Sequence, residues 1–225
     1  HWQSAHTSTS INGKTYLQVY PLVPTVGNHE ASEMEFMCTV FGVDADRSNT
    51  CGKRDTYFAM NLGSLVRFYT LNSELLSNGY TNDWNSQDAW LTQDLSTHGQ
   101  NAVWRMAQYH RPMYPRSTEK SNSYDSAKWA NHFYNYKMNL AAESDTHMVK
   151  ITYPVKPVSG GYTFTDAGTV YIGEGAWGAP KRPANKDATW VLDLESLDHL
   201  NVVQVTSDKI TVRTVLMSGE ANTGT

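Results

Sequence analysis

Three short polar clusters hold the residues best suited to chemistry, and each follows an apolar run. The first is Gly27-Asn28-His29-Glu30, after residues 21–26. Gly27 lets the backbone turn sharply, Asn28 offers a neutral carbonyl oxygen, and His29 offers an imidazole that serves as ligand or general acid. The second is His110-Arg111-Pro112-Met113-Tyr114-Pro115, after residues 103–109. A histidine at the end of a buried strand has its ring held in one direction, and an adjacent guanidinium suits a phosphate oxygen. The third is Glu143-Ser144-Asp145-Thr146-His147, after residues 140–142. Asp145 and His147 are two apart and share a face of an extended chain. A carboxylate and an imidazole on one face suit zinc or another first-row transition metal. Each cluster also has a plainer explanation: a polar turn, a core histidine beside a surface arginine, and a salt-linked Asp–His pair.

Strands must present these clusters. Residues 21–26 read as a short buried strand ending at Gly27, and residues 30–56 as irregular chain. Residues 57–61 and 65–71 read as two strands across Leu62-Gly63-Ser64. Helical spacing of Trp84, Ala89, Trp90, Leu91 and Leu95 predicts a helix over 84–97, and Trp129, Phe133 and Tyr136 predict another over 125–138. Residues 103–109 and 140–142 are the strands that lead into the second and third clusters. Further strands are expected over 149–155, 169–173, 189–194, 202–206 and 210–216, the last two as a hairpin. Alternating elements followed by a strand-rich stretch predict a layered α/β sandwich finished by a mostly antiparallel sheet.

Composition narrows the partners. Charged residues make up 18% of the 225, and the net charge is -4. With no basic excess, a nucleic acid is not expected, and a small molecule is. Mean hydropathy is -0.52, and no apolar run approaches the roughly 18 residues of a membrane span. The opening His1-Trp2-Gln3-Ser4 has no leader character, so either no leader existed or the gene product starts earlier. Cys38 and Cys51 lie in a polar stretch, where they either close a short disulfide loop in an oxidising compartment or remain two separate thiols.

In this order the clusters resemble the calcineurin-like metallophosphoesterases, in their purple-acid-phosphatase-related branch. That family carries Gly-Asn-His-Glu, then a histidine ending a strand, then Gly-His-x-His. Here the series is Gly27-Asn28-His29-Glu30, His110, and Ser144-Asp145-Thr146-His147. Gln87-Asp88-Ala89-Trp90-Leu91, the stretch 104–114 and Thr169-Val170-Tyr171-Ile172-Gly173-Glu174-Gly175 are similar to that branch as well. The resemblance runs over residues 22–213.

It implies an α-β-β-α metallophosphoesterase sandwich, with the whole chain forming one domain. It also implies two transition metals (Fe, Zn or Mn) that clamp a small phosphate ester and supply a metal-bound hydroxide as nucleophile. Asn28, His110, Asp145 and His147 would be metal ligands. His29 would be the catalytic residue acting on the phosphate, with Glu30 steadying it. Arg111 and Tyr114 would bind substrate, and Glu119 and Lys120 follow in a polar loop within reach. A secreted or periplasmic location fits the cysteine pair and the family's habit.

Two departures stand out. The family's Gly-Asp motifs, whose aspartates include the metal bridge, have no match before Pro21, so an N-terminal segment that completes the site is expected to be missing. Asp145 stands where the family has histidine, which adds negative charge and favours harder ions. Two rival expectations follow: a catalytically inactive metallophosphoesterase-like fragment or binding domain, and a carbohydrate-binding module that uses the seven tryptophans and thirteen tyrosines for stacking.

Overall fold

A computed structural model describes residues 6–11, 14–19, 22–120, 128–159, 161–173, 175, 179–186 and 188–217. In chain order the elements are β1 (His6–Ile11), β2 (Lys14–Val19), α1 (Phe36–Phe41), β3 (Phe58–Leu62), β4 (Val66–Thr70), α2 (Glu74–Ser77) and α3 (Thr81–Ser96). There follow β5 (Trp104–Gln108), α4 (Ala130–Asn135), β6 (Leu140–Ala142), β7 (Val149–Thr152), β8 (Val155–Val158) and β9 (Gly161–Phe164). The last are β10 (Val170–Gly173), β11 (Val191–Glu195), β12 (His199–Val205) and β13 (Ile210–Leu216).

Seven strands form one mixed sheet in the order β11-β7-β10-β6-β5-β4-β3. The central run β4, β5, β6 and β10 is parallel, and the outer pairs are antiparallel. Alternation along each strand divides the residues between two cores. Tyr69, Ala107, Ala141 and Tyr171 face Trp84, Leu91 and Leu95 of α3 and Phe133 of α4. Their neighbours Met106, Leu140 and Ile172, with Val66, face Val203, Val205, Ile210 and Val212 of the β12–β13 hairpin. The fold is thus a layered α/β sandwich: helices, a seven-stranded sheet, then a two-stranded sheet. The Trp104 indole N–H, bonded to the Thr206 carbonyl at 2.7 Å, pins the hairpin to the large sheet.

α3 forms because Trp84, Gln87, Leu91 and Leu95 recur on one helical face, and all four are buried. Gln87 is the polar member. Its amide bonds both backbone groups of Asn72, at 2.7 and 3.0 Å, so its burial leaves those groups satisfied. Trp84 stacks on Trp129 with ring centroids 4.6 Å apart. These two tryptophans are core, and Trp90 and Trp190 pack partly buried against the same core. The sugar-stacking expectation therefore loses most of its candidate rings; Trp2 and Trp177 lie outside the described residues.

Residues 30–56, expected as irregular chain, contain α1, and three expected elements differ. Residues 22–27 form no strand, and there Pro24 has no N–H to give to a ladder. The segment is held instead by the Gln108 amide, which donates to the Val23 carbonyl at 2.8 Å; Pro21 lies outside the described residues. The strand expected over 149–155 breaks into β7 and β8 around Tyr153-Pro154. The helix expected over 125–138 is helical over Ala130–Asn135, with residues 125–127 outside the described residues. Cys38 and Cys51 form a disulfide. Among the described residues no helix is long and apolar enough to cross a membrane.

Candidate metal and phosphate site

The second and third clusters meet because β5 and β6, the strands before them, are neighbours in one sheet; the first follows residues 22–27, which form no strand and are tied to β5 by the Gln108 amide. Parallel β4, β5 and β6 end in register, Thr70 opposite Gln108 and Gln108 opposite Ala142. Loops at the carboxyl ends of adjacent parallel strands share a crevice, where α/β sheets bind ligands. The pairing runs on past the strands: Tyr109 N–H donates to the Ala142 carbonyl at 3.1 Å, and Ser144 N–H to the His110 carbonyl at 2.9 Å. Gly27 brings the first cluster close. A Cβ there would lie 3.1 Å from the His110 ring and 3.1 Å from the Glu30 carboxylate.

Asn28, His29, His110, Asp145, His147 and Arg182 line a pocket of about 570 Å³. At its base His110 Nε2 donates to Asn28 Oδ1 at 2.8 Å and lies 3.4 Å from Asp145 Oδ1. One nitrogen of His110 is thus close to an oxygen from each of the other two loops. His147 Nδ1 donates to the Pro180 carbonyl at 2.7 Å, which leaves the lone pair on Nε2. A metal-ligating histidine typically makes this second bond. Partial burial, aided by the Arg182 and Lys120 charges, holds the His147 pKa below its ordinary value, so the ring is neutral at pH 7.

Asp145 and His147 both have left-handed backbone, φ 72° and 56°. Non-glycine residues adopt it at a cost of about 1 kcal/mol or more each. Bonds around them hold the conformation: Thr146 N–H to the Ser144 carbonyl at 2.9 Å, Arg182 N–H to the His147 carbonyl at 3.2 Å, and the Arg182 guanidinium to the Asp145 carbonyl at 2.8 Å.

Metal fit is partial. Asn28 Oδ1, His110 Nε2 and Asp145 Oδ1 are placed for one cation, which would replace the His110 proton. Among the described residues, the one set of three His, Cys, Asp or Glu side chains with ligand atoms mutually within 4.8 Å is Asp44, Asp46 and Asp55, elsewhere in the chain. The described residues therefore fit one metal position and not a full two-metal set.

Three of the expected side chains have partners outside the pocket or on their own loop. The Arg111 guanidinium grips the Glu74 carboxylate at 2.7 and 2.8 Å, anchoring the 110–115 turn to the start of α2 and turning away from the pocket. Tyr114 is 2% exposed, and its ring is packed among Tyr162, Tyr171 and Trp190. Neither side chain lines the pocket. Glu30 turns back on its own loop, its Oε2 accepting Gly27 N–H at 3.0 Å, instead of reaching His29.

Two cations at the site follow from tertiary pairing alone. Lys120 Nζ sits 2.5 Å from Asp145 Oδ1, where sequence had offered it only as a loop residue near substrate. Arg182 had no local motif at all; its partner Asp145 is 37 residues away.

No protein-family model matches the chain, and no curated protein matches it. Solved structures do share its fold. GAP50, described as the anchor in the inner membrane complex of Plasmodium, superposes with a TM-score of 0.57 at 14% identity, over 73% of this chain and 50% of its own. The purple acid phosphatase PPD1 from yellow lupin (Lupinus luteus) seeds superposes with a TM-score of 0.59 at 16% identity, over 73% of this chain and 31% of its own. The chain therefore spans half or less of the length of these two relatives.

Proposed function

We propose that the chain carries part of the active site of a metal-dependent phosphoesterase of the purple-acid-phosphatase-like kind, acting on a small phosphate ester. The observation that carries this reading is the meeting of three loops at His110, whose Nε2 lies 2.8 Å from Asn28 Oδ1 and 3.4 Å from Asp145 Oδ1. Asn28, His110 and Asp145 would hold one metal ion, with His147 Nε2 as a further ligand. Bound transition metals (Fe, Zn or Mn) would polarise the phosphate and supply an activated water. His29, exposed on the pocket wall, would meet the ester oxygen as acid or hydrogen-bond donor. Arg182 and Lys120 would add positive charge at the rim.

The remaining ligands would come from a further segment of the polypeptide. The hairpin supports this part of the reading. Leu200, Val202 and Val215 are exposed on its outer face beside Gln204 and Arg213, and an apolar groove of about 450 Å³ remains between the hairpin and the large sheet. The Cys38–Cys51 disulfide supports a secreted or periplasmic setting.

The test is metal content by mass spectrometry together with p-nitrophenyl phosphate hydrolysis. Bound transition metal that is lost in His110→Ala, and turnover reduced about 10²–10⁴-fold in His29→Asn with metal retained, is the expected result. Absence of both metal and turnover in the longest natural polypeptide would sink it.

One observation favours a second reading, a binding domain without catalysis. Lys120 already neutralises Asp145 at 2.5 Å. The fold does not choose between the readings, since an anchor and a phosphatase both wear it.

A further inference from the structure

Lys120 does not reach Asp145 by chance of a free side chain. Residues 116–120 are tied to 182–185 as a short antiparallel strap. Asn185 N–H donates to the Arg116 carbonyl at 2.7 Å, and Thr118 N–H donates to the Pro183 carbonyl at 3.0 Å. Ser117 pairs with Ala184 and is fully buried. The Arg116 guanidinium returns to the Asn185 carbonyl at 3.0 and 2.7 Å. Arg182 joins the strap to the site loop: its Nε lies 3.4 Å from Glu119 Oε2, and its Nη1 donates to the Asp145 carbonyl at 2.8 Å. This framework carries Lys120 to a carboxylate that is 2% exposed.

We propose that Lys120 is the resident cation of the Asp145 position, held there by the 116–120 strap, and that a divalent ion takes Asp145 only by displacing it. The inference rests on the metal reading above. Its physical basis is competition for one oxygen. Asp145 Oδ1 lies 3.4 Å from His110 Nε2, so a metal ion held between them would stand beside the ammonium. Two cations sharing one carboxylate oxygen at such separation repel strongly, so either the ammonium leaves or the metal binds weakly. Aspartate in this place makes the device workable, since a neutral histidine would not attract an ammonium. Lys120 thereby sets metal affinity, and any movement of the strap changes it.

The test is Co(II) binding, followed by calorimetry and by the visible absorption of the bound ion. It uses the wild type, Lys120→Met, Lys120→Arg and Lys120→Met/Asp145→Asn. Removal of the ammonium is expected to tighten Co(II) about tenfold or more, within the range that groups bonded to ligands command. Lys120→Arg should stay weak, and the double variant should lose the gain. In the wild type, saturating Co(II) should also raise acetylation of Lys120 by an amine-reactive reagent, read by mass spectrometry. Should Lys120→Met not fold, Lys120→Gln takes its place.

An unchanged affinity in the folded variant overturns the inference. So does a gain that persists with Asp145→Asn. The two proposals fail separately. Tight wild-type binding that depends on His110, with no effect of Lys120, leaves the metal reading standing and removes this one. No wild-type binding with clear binding by Lys120→Met keeps this inference and turns the natural protein into the binding domain.

Discussion

Lys150 Nζ lies 2.7 Å from Glu143 Oε2, and neither side chain has exposed surface. The pair is the hub beneath the candidate site. Glu143 Oε1 also accepts the Tyr109 hydroxyl at 2.6 Å and Met113 N–H at 2.7 Å, and Lys150 donates to the Tyr114 carbonyl at 2.8 Å. One carboxylate thus joins the loop after β5 to the loop after β6, and so sets His110 against Asp145.

Breaking the pair from one side leaves a buried charge. Lys150→Met is expected to cost about 3–5 kcal/mol in urea unfolding, and Lys150→Met/Glu143→Gln to recover a good part of it. Equal costs for single and double variants would show that the two charges are not coupled.

Arg111 anchors a turn. Its bidentate bond to Glu74, whose side chain is fully buried, predicts that Arg111→Ala costs about 2 kcal/mol or more of stability. Metal affinity and KM for a phosphate ester should change little once the variant is assayed well below its melting temperature. A rise in KM at unchanged stability would return Arg111 to the substrate.

Gly173 has φ 143°, and a Cβ there would fall 2.1 Å from the Glu143 carbonyl oxygen. Gly173→Ala must push the 143–147 loop away from β10. The expected outcome is a loss of about 2 kcal/mol or more together with weaker metal binding. Unaltered melting would contradict the close approach.

His199 is 3% exposed, and burial lowers its pKa from the ordinary histidine value despite a bond from Nδ1 to the Leu197 carbonyl. The unfolded chain therefore takes up a proton near pH 6.5 that the folded chain refuses. Stability from this group is intact above that pH and falls as pH drops from about 6.5 to the lower folded pKa. His199→Asn keeps a donor to the carbonyl without the titration. Its melting temperature should decline less than the wild type's between pH 7 and 5. Parallel declines would remove His199 as a source of acid sensitivity.

The Cys38–Cys51 bridge closes a loop of sequence separation 13. Cys51→Ser in place of the bridge is expected to cost about 3 kcal/mol, measured against the oxidised protein by chemical unfolding.

Sequence determined β5 and β6, the strands that carry the second and third clusters, and the order of all three clusters. Alternation fixes which side of β5 or β6 is apolar, and a polar cluster at the end of an apolar run must leave the sheet there. α3 was legible for the same local reason, in the spacing of Trp84, Leu91 and Leu95. Only tertiary structure decided what each polar side chain does. Arg111 turns to Glu74 across 37 residues, Lys120 to Asp145 across 25, and Lys150 of β7 to Glu143 at the end of β6, past the intervening β10. The run 21–26, apolar enough to read as a strand, is not one over its described residues 22–26, where Pro24 lacks an N–H. Local pattern fixes where a backbone goes, because its periodicity is short. A long charged side chain instead takes the partner that best repays its burial, and which partner lies within reach depends on the folded chain.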